Sequence, residues 1–344
     1  MRAAVLKEDG RFVVEETPRP VPEGRQLLIR VSYCGICGSD LHSLRAGALT
    51  PGSILGHEIS GTVEAVGPEV LNVEPGERVT TLSAIPCDRC DPCRAGRFRS
   101  CDGGWQIYGY GSVPGGYAEF VLGHSAAVRK MPQNLTEVAA ALNEPAMVGL
   151  HAVRESVLEP GQTALVIGAG PIGLLVLQAA KLAAAGAVVV VEPSAGRRKM
   201  ASRLGADAVL DPGSDDVPAF LSKRTEAGPP VVFECAGAPG TLQRAVELVR
   251  PGGQVILAGV NYEPDAVAPL VLVGKECEVK AILGGGDLFG HTLDLIAAGK
   301  LQTEPLVTRV VGLEDVDSVT TELGRPGCDD VKVLVAPWRE GIER

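Results

Sequence analysis

Short stretches rich in β-branched residues and broken by turns fill the first 130 or so residues. From about Gly161 the pattern changes to apolar runs of strand length separated by helical stretches. In the first region LLIRVSYCGIC (27–37), ISGTVEAVG (59–67) and ERVTTL (77–82) are bounded by Gly, Pro, Asn or Asp, which predicts a β-rich domain with irregular loops. In the second, TALVIGA (163–169), AVVVVEP (187–193), ADAVLD (206–211), PVVFECAG (230–237) and QVILAGV (254–260) read as buried strands. Strands alternating with helices imply a parallel sheet with right-handed crossovers, so the fold class is α/β. Beyond Gly286, HTLDLIAAGKL (291–301) predicts another helix, and PLVTRVVGL (305–313) and VKVLVAP (331–337) predict strands that return to the first domain. No internal repeat or low-complexity segment is present.

The length of 344 residues suggests two domains with a cleft between them, where enzymes bind substrates. The composition is 45% hydrophobic and 22% charged, and the mean hydropathy is +0.17, enough apolar material for two packed cores. A net charge of -10 and a pI near 5.1 argue against nucleic-acid or anionic-membrane partners, which require clustered Lys and Arg. The start, MRAAVLKEDG, lacks the apolar core of a signal peptide, which points to a cytoplasmic protein with reduced thiols. Pro160 to Ala180 carries no charge, but Gly168, Gly170, Pro171 and Gly173 in its middle make it a buried strand and helix rather than a membrane span.

Nine cysteines then need another explanation. Cys87, Cys90, Cys93 and Cys101 form C-x2-C-x2-C-x7-C in a loop at about 86–102; four thiolates so close in sequence can close a tetrahedron around a structural zinc. Disulfides, a redox cluster or a nucleic-acid finger are the alternatives, disfavoured by the cytoplasmic setting, the spacing and the acidic charge. A second candidate set is dispersed: Cys37 in CGICGSDLH, His57 and Glu58 in GHEISG, and Glu144 in NEPAMVGLH. Cys, His and carboxylate together suit a zinc that keeps one position open, although each residue alone has a plain structural reading. Cys34, Cys235, Cys277 and Cys328 are read as core or strand residues.

TALVI runs into Gly168-Ala169-Gly170-Pro171-Ile172-Gly173 and then the helical stretch LLVLQAAKLAAA. The glycines allow a tight turn and close backbone approach, placing a pyrophosphate on free N–H groups at a helix N-terminus. Glu192 ends the next strand, where a carboxylate accepts hydrogen bonds from the adenosine ribose and repels a 2′-phosphate, favouring NAD over NADP. Arg197 and Arg198 lie nearby and could tolerate a phosphate. Cys235-Ala236-Gly237 and Leu257-Ala258-Gly259 end two further strands, so Gly259 is expected at the cofactor edge.

CGICGSDLH, GHEISGTVEAVG, the four-cysteine loop, GGYAEFV, EPAMVGLHAV and GAGPIG occur in one order along nearly the whole chain. In these motifs the sequence resembles the zinc-containing medium-chain dehydrogenase/reductase family, close to its sorbitol, butanediol and threonine dehydrogenase branch. The resemblance implies a GroES-like catalytic domain (1–147), a Rossmann-type NAD-binding domain (148–286) and a C-terminal return to the catalytic domain (287–344). It implies two zincs per subunit: a structural one on the four cysteines, and a catalytic one on Cys37, His57 and a carboxylate, with Glu58 and Glu144 competing for the metal. It also implies that Ser39 and His42 relay the alcohol proton, that Asp40 orients His57, and that the subunits form a dimer or tetramer through the nucleotide domains.

The expected reaction is hydride transfer between a secondary alcohol (a polyol, diol, amino alcohol or cyclitol) and NAD. Sorbitol dehydrogenases usually carry an aromatic residue after the relay histidine and an Arg-aromatic pair late in the nucleotide domain. Here Ser43 and Leu283-Gly284-Gly285-Gly286 stand instead, which puts sorbitol itself in doubt. A zinc-independent quinone or enone reductase and a non-catalytic NAD-binding regulator are the competing classes; the complete metal-ligand set and the relay residues speak against them.

Overall fold

Two large sheets of opposite character organise the chain. The computed structural model describes residues 1–95, 98–104, 106–325 and 327–339, so Gly96 and Arg97 of the cysteine loop and the last five residues lie outside it. Strands β1 (Arg2–Leu6) and β2 (Phe12–Glu16) form an antiparallel ribbon. The first large sheet collects β3 (Gln26–Gly35), β4 (Glu58–Val66), β5 (Arg78–Thr81), β6 (Phe120–His124) and β7 (Val128–Lys130) in antiparallel pairs.

The second sheet contains β8 (Thr163–Ile167), β9 (Ala187–Val191), β10 (Ala208–Leu210), β11 (Val231–Glu234), β12 (Gln254–Leu257) and β13 (Glu278–Ala281). All its pairs are parallel, in the order β10-β9-β8-β11-β12-β13. That is the Rossmann order, with its switch point between β8 and β11. Helices cover both faces, so its central strands are apolar throughout: Val188 to Val190 and Val231 to Phe233 are wholly buried. The last strands, β14 (Val307–Val311) and β15 (Lys332–Val335), join the first sheet, where β15 pairs with β3 through Leu334↔Gly35 and Val335↔Cys34.

The uncharged stretch 160–180 is divided between β8, a glycine turn and the start of the helix Pro171–Leu182. Among the described residues no helix is long and apolar enough to cross a membrane. One hydrophobic core runs from the helix Asn143–Arg154 through Pro171–Leu182 into the parallel sheet. The two helices approach so closely that a Cβ at Gly149 would stand 2.7 Å from Leu175 Cβ. The element bearing Glu144 is thus packed rigidly on the parallel sheet.

Candidate active site

The dispersed metal set is assembled by the first sheet. β3 ends at Gly35, the chain turns through Cys37 into the helix Gly38–Arg45, and Glu58 opens β4 directly opposite Gly35. A Cβ at position 35 would overlap the Glu58 carboxylate, so only glycine leaves room for it. One ligand atom from each of Cys37, His57 and Glu58 lies within 4.8 Å of the others, and His57 and Glu58 are buried. Glu144 is not in that trio: it is also buried, and its Oε1 accepts the Ser83 hydroxyl at 2.7 Å.

Electrostatics around the trio fit a cation. Burial pushes the His57 imidazole down, yet Asp40 and Cys37 outweigh it and hold its pKa well above the ordinary value. His57 Nδ1 lies 3.5 Å from Asp40 Oδ1, an ion-pair distance. Burial alone would raise the Asp40 carboxyl, but the His57 charge and hydrogen bonds from the Tyr117 hydroxyl and the Cys37 N–H hold it below its ordinary value. A thiol and carboxylates converging on an imidazole are the mixed donor set that suits zinc with an open position.

Lys332 was not singled out from the sequence. It lies in β15, 2% exposed, and its Nζ donates to Glu58 Oε1 and Oε2 at 2.7 and 2.8 Å and to Ile36 O at 2.9 Å. Burial lowers the pKa of this lysine, but Glu58 and its neighbours raise it above normal. A lone lysine in the apolar run VKVLVAP was the one available signal, since a buried lysine requires a partner.

The four cysteines cluster separately around the short helix Asp91–Arg94, which Cys90 caps and which carries Cys93. Cys87 Sγ lies 3.5 Å from Cys90 Sγ, and Cys90 Sγ 4.0 Å from Cys101 Sγ. These distances bracket the ~3.8 Å edge of a tetrahedron with zinc–sulfur bonds of about 2.3 Å, and are far longer than a disulfide bond. Backbone N–H groups of Arg89 and Cys90 pull the Cys87 thiol down to about 6, while burial pushes Cys93 up to about 12. The loop is pinned through Asp88, whose backbone takes a positive φ of 58°. Its carboxylate accepts Arg25 Nη1 at 3.0 Å and His124 Nε2 at 2.6 Å. His124 Nδ1 accepts the Ala126 N–H, so Nε2 carries the proton.

The glycine fingerprint lies at the carboxyl end of β8. Gly168 has φ +95°, and a Cβ there would stand 2.9 Å from the Ala236 backbone beyond β11. A Cβ at Gly173 would overlap the Gly168 carbonyl, whereas one at Gly170 would meet nothing, leaving an open approach at the N-cap of the helix begun by Pro171 and Ile172. Glu192 is buried, and its two oxygens accept backbone N–H groups of Ala169 (2.7 Å) and Ser194 (2.8 Å). Arg197 binds the Asp330 carbonyl, and Arg198 pairs with Asp211 at 3.0 Å. At the next strand ends, Glu234 Oε1 accepts Ala236 N–H, Gly237 N–H and the Thr241 hydroxyl, and a Cβ at Gly259 would overlap Glu234 Oε2.

The two regions meet across a hydroxyl pair. Ser43, on the helix that follows Cys37, lies 2.7 Å from the hydroxyl of Tyr262, three residues beyond Gly259. The helix that follows Cys37 therefore touches the loop at the carboxyl edge of the parallel sheet. Ser39 and His42 share that helix; burial, then Arg45, lowers the pKa of the half-buried His42.

Residues 23–133 match the alcohol dehydrogenase GroES-like domain and residues 171–298 the zinc-binding dehydrogenase domain. The chain is 33% identical to (R,R)-butanediol dehydrogenase of Bacillus subtilis, over 98% of this chain and 100% of that protein. The chain belongs to the zinc-containing medium-chain dehydrogenase/reductase family. This medium-chain dehydrogenase is also 33% identical to human sorbitol dehydrogenase, over 90% of this chain and 89% of that one. It superposes with a TM-score of 0.88 on a putative zinc-binding dehydrogenase from Sinorhizobium meliloti bound to NADP, at 33% identity, covering 98% and 99% of the two chains. It is an oxidoreductase built from a GroES-like domain and a Rossmann-type sheet.

Proposed function

We propose that this enzyme is a zinc-dependent dehydrogenase passing hydride between a secondary alcohol, foremost a polyol or diol, and NAD. The observation that carries the reading is the clustering of Cys37, His57 and Glu58, with the Ser43–Tyr262 contact joining the helix that follows Cys37 to the carboxyl edge of the parallel sheet. The names of the butanediol and sorbitol relatives support the substrate class. Residues 1–147 and 287–344 form the catalytic unit in this reading, and 148–286 the nucleotide unit.

Cys37, His57 and Glu58 hold the catalytic zinc, with Glu144 as the nearby alternate carboxylate, and Cys87, Cys90, Cys93 and Cys101 hold the structural zinc. When bound, zinc polarises the alcohol oxygen and the nicotinamide accepts the hydride. The chain supplies the rest: Lys332 fixes the Glu58 carboxylate, Asp40 orients His57, and Ser39 and His42 remove the proton. Gly168, Gly170, Pro171, Ile172 and Gly173 seat the pyrophosphate, and Gly259 borders the nicotinamide half.

NAD is favoured because Glu192 occupies the ribose end of β9 while both arginines are engaged, Arg197 by Asp330 and Arg198 by Asp211. Nine free cysteines suit the cytoplasm. The outer edge of β13, with exposed Val279 and the neighbouring Leu270 and Val273, suits a homodimer or a tetramer built from it. The test is metal content per subunit together with NAD and NADP reduction across secondary alcohols, diols and polyols. Two zincs and NAD-preferring diol or polyol turnover are expected; a single zinc with no alcohol oxidation would overturn the reading.

A further inference from the structure

Ser39 and Ser43 stand one turn apart on the helix Gly38–Arg45 and share a face. Tyr110 lays its hydroxyl between them, donating to Ser39 Oγ at 3.4 Å and to Asp40 Oδ1 at 3.3 Å, and standing 3.4 Å from Ser43 Oγ. Ser43 is wholly buried, yet its Oγ reaches the Tyr262 hydroxyl at 2.7 Å, and Tyr262 is 49% exposed. Four hydroxyls thus stand in file from Ser39, two residues after Cys37, to the half-exposed Tyr262. A hydroxyl both donates and accepts, so such a file can pass a proton without holding a charge. The two 3.4 Å links are longer than ordinary hydroxyl pairs, and a shift of about half an ångström closes them, as catalytic hydrogen bonds do when a complex forms.

We propose that Ser39, Tyr110, Ser43 and Tyr262 form a second proton exit for alcohol oxidation, parallel to the His42 relay and independent of the cofactor ribose. The proposal rests on the zinc dehydrogenase reading above. In the reaction the carbinol C–H bond breaks and its hydride, with two electrons, reduces NAD. Once the Tyr110 hydroxyl turns from Ser39 and Asp40 toward Ser43, the alcohol O–H proton passes to Ser39 Oγ as Ser39 gives its own to Tyr110, Tyr110 to Ser43, Ser43 to Tyr262, and Tyr262 to water. Each hydroxyl gains one proton and loses one, and the net product is one proton in solvent. No phenolate accumulates, because burial and then Asp40 push the Tyr110 hydroxyl up to about 12.

Tyr110 and Tyr262 act through Ser39 rather than on the substrate, so they are positioning residues and need a readout beyond rate.

The test uses zinc-loaded protein and its S43A, Y262F, H42Q, H42Q/S43A and H42Q/Y262F variants. One readout is proton release, followed with an indicator dye in weak buffer, on rapid mixing with NAD and a secondary alcohol. The other is the solvent deuterium isotope effect on kcat with a secondary alcohol. With two parallel exits, each single variant should slow release less than about threefold, and each double variant about tenfold beyond the product of its singles, with a larger solvent isotope effect. Double variants equal to that product, or an isotope effect unmoved while KM for NAD rises, would overturn the proposal and leave the Ser43–Tyr262 contact a structural bridge. The surface Y262F series keeps the test valid if S43A misfolds. Wild-type protein releasing no proton would sink the dehydrogenase reading itself, and this exit with it.

Discussion

The two candidate metal centres contrast in how they are built. The four-cysteine set comes from a single loop, its ligands all alike and pinned to the sheet through Asp88. The Cys37, His57 and Glu58 set comes from the end of one strand, a turn and the start of another, and is braced by Asp40 and by Lys332, 274 positions from Glu58. Four identical thiolates saturate a tetrahedral ion and leave chemistry nowhere to occur. The mixed set offers three protein ligands, so a tetrahedral ion there would keep one position open. A local site stabilises its loop; a dispersed site depends on the fold already being formed.

The sharpest way to break this contrast is to remove one cysteine from each centre. Cys37→Ser should lower kcat/KM by at least about 100-fold, beyond the range of losses at residues that only support a ligand, with thermal unfolding unchanged. Cys90→Ser should instead cost one zinc per subunit and lower the apparent Tm by about 5 °C or more. Metal analysis and calorimetry on both variants decide it; stability lost at Cys37 and turnover lost at Cys90 would reverse the assignment.

Next in size is Lys332→Met, which leaves the buried Glu58 carboxylate without its cation. In zinc-free protein this should cost about 3–5 kcal/mol, and clearly less in zinc-loaded protein, where the metal compensates the same charge. Equal losses in both forms, read by denaturant unfolding, would remove Glu58 from the ligand set.

A third comparison separates the two carboxylates. Glu58→Gln should weaken zinc binding at the catalytic centre about tenfold more than Glu144→Gln, because Glu58 and not Glu144 clusters with Cys37 and His57. Competition with a chelator measures both.

The smallest effect is the pH dependence of the structural site. Zinc requires all four thiolates, and burial holds Cys93 near 12 in the metal-free loop, so binding must expel protons. Falling pH should therefore weaken zinc binding and speed its removal by a chelator, with Cys87, held near 6, the last thiol to take its proton back. A pH-independent removal rate between pH 8 and pH 6, values chosen about one unit either side of neutrality, would contradict proton-coupled binding.

Much of this was legible in the chain because it is local. C-x2-C-x2-C-x7-C places four thiols in one loop whatever surrounds it, and Gly168-Ala169-Gly170-Pro171-Ile172-Gly173 after an apolar strand allows few other backbones. The apolar runs 163–169, 187–193, 230–237 and 254–260 became parallel strands because a sheet covered on both faces demands unbroken hydrophobicity. Glu192 was placed correctly at the end of β9, but not its hydrogen bonds to Ala169 and Ser194, which depend on how two turns meet.

The sequence by itself determined the kinds of chemistry available: thiols at metal spacing, a phosphate-seating turn, and a Cys, a His and acids in motifs of one order. Tertiary structure alone decided which of those groups meet. It set Glu58 rather than Glu144 beside Cys37 and His57, buried Lys332 against Glu58, and brought Tyr262 onto Ser43 from the opposite sheet. The reason is physical: local backbone preferences act over a few residues, whereas a buried ion pair or the Ser43–Tyr262 contact exists only where sheet register and helix packing bring distant side chains within about 3 Å.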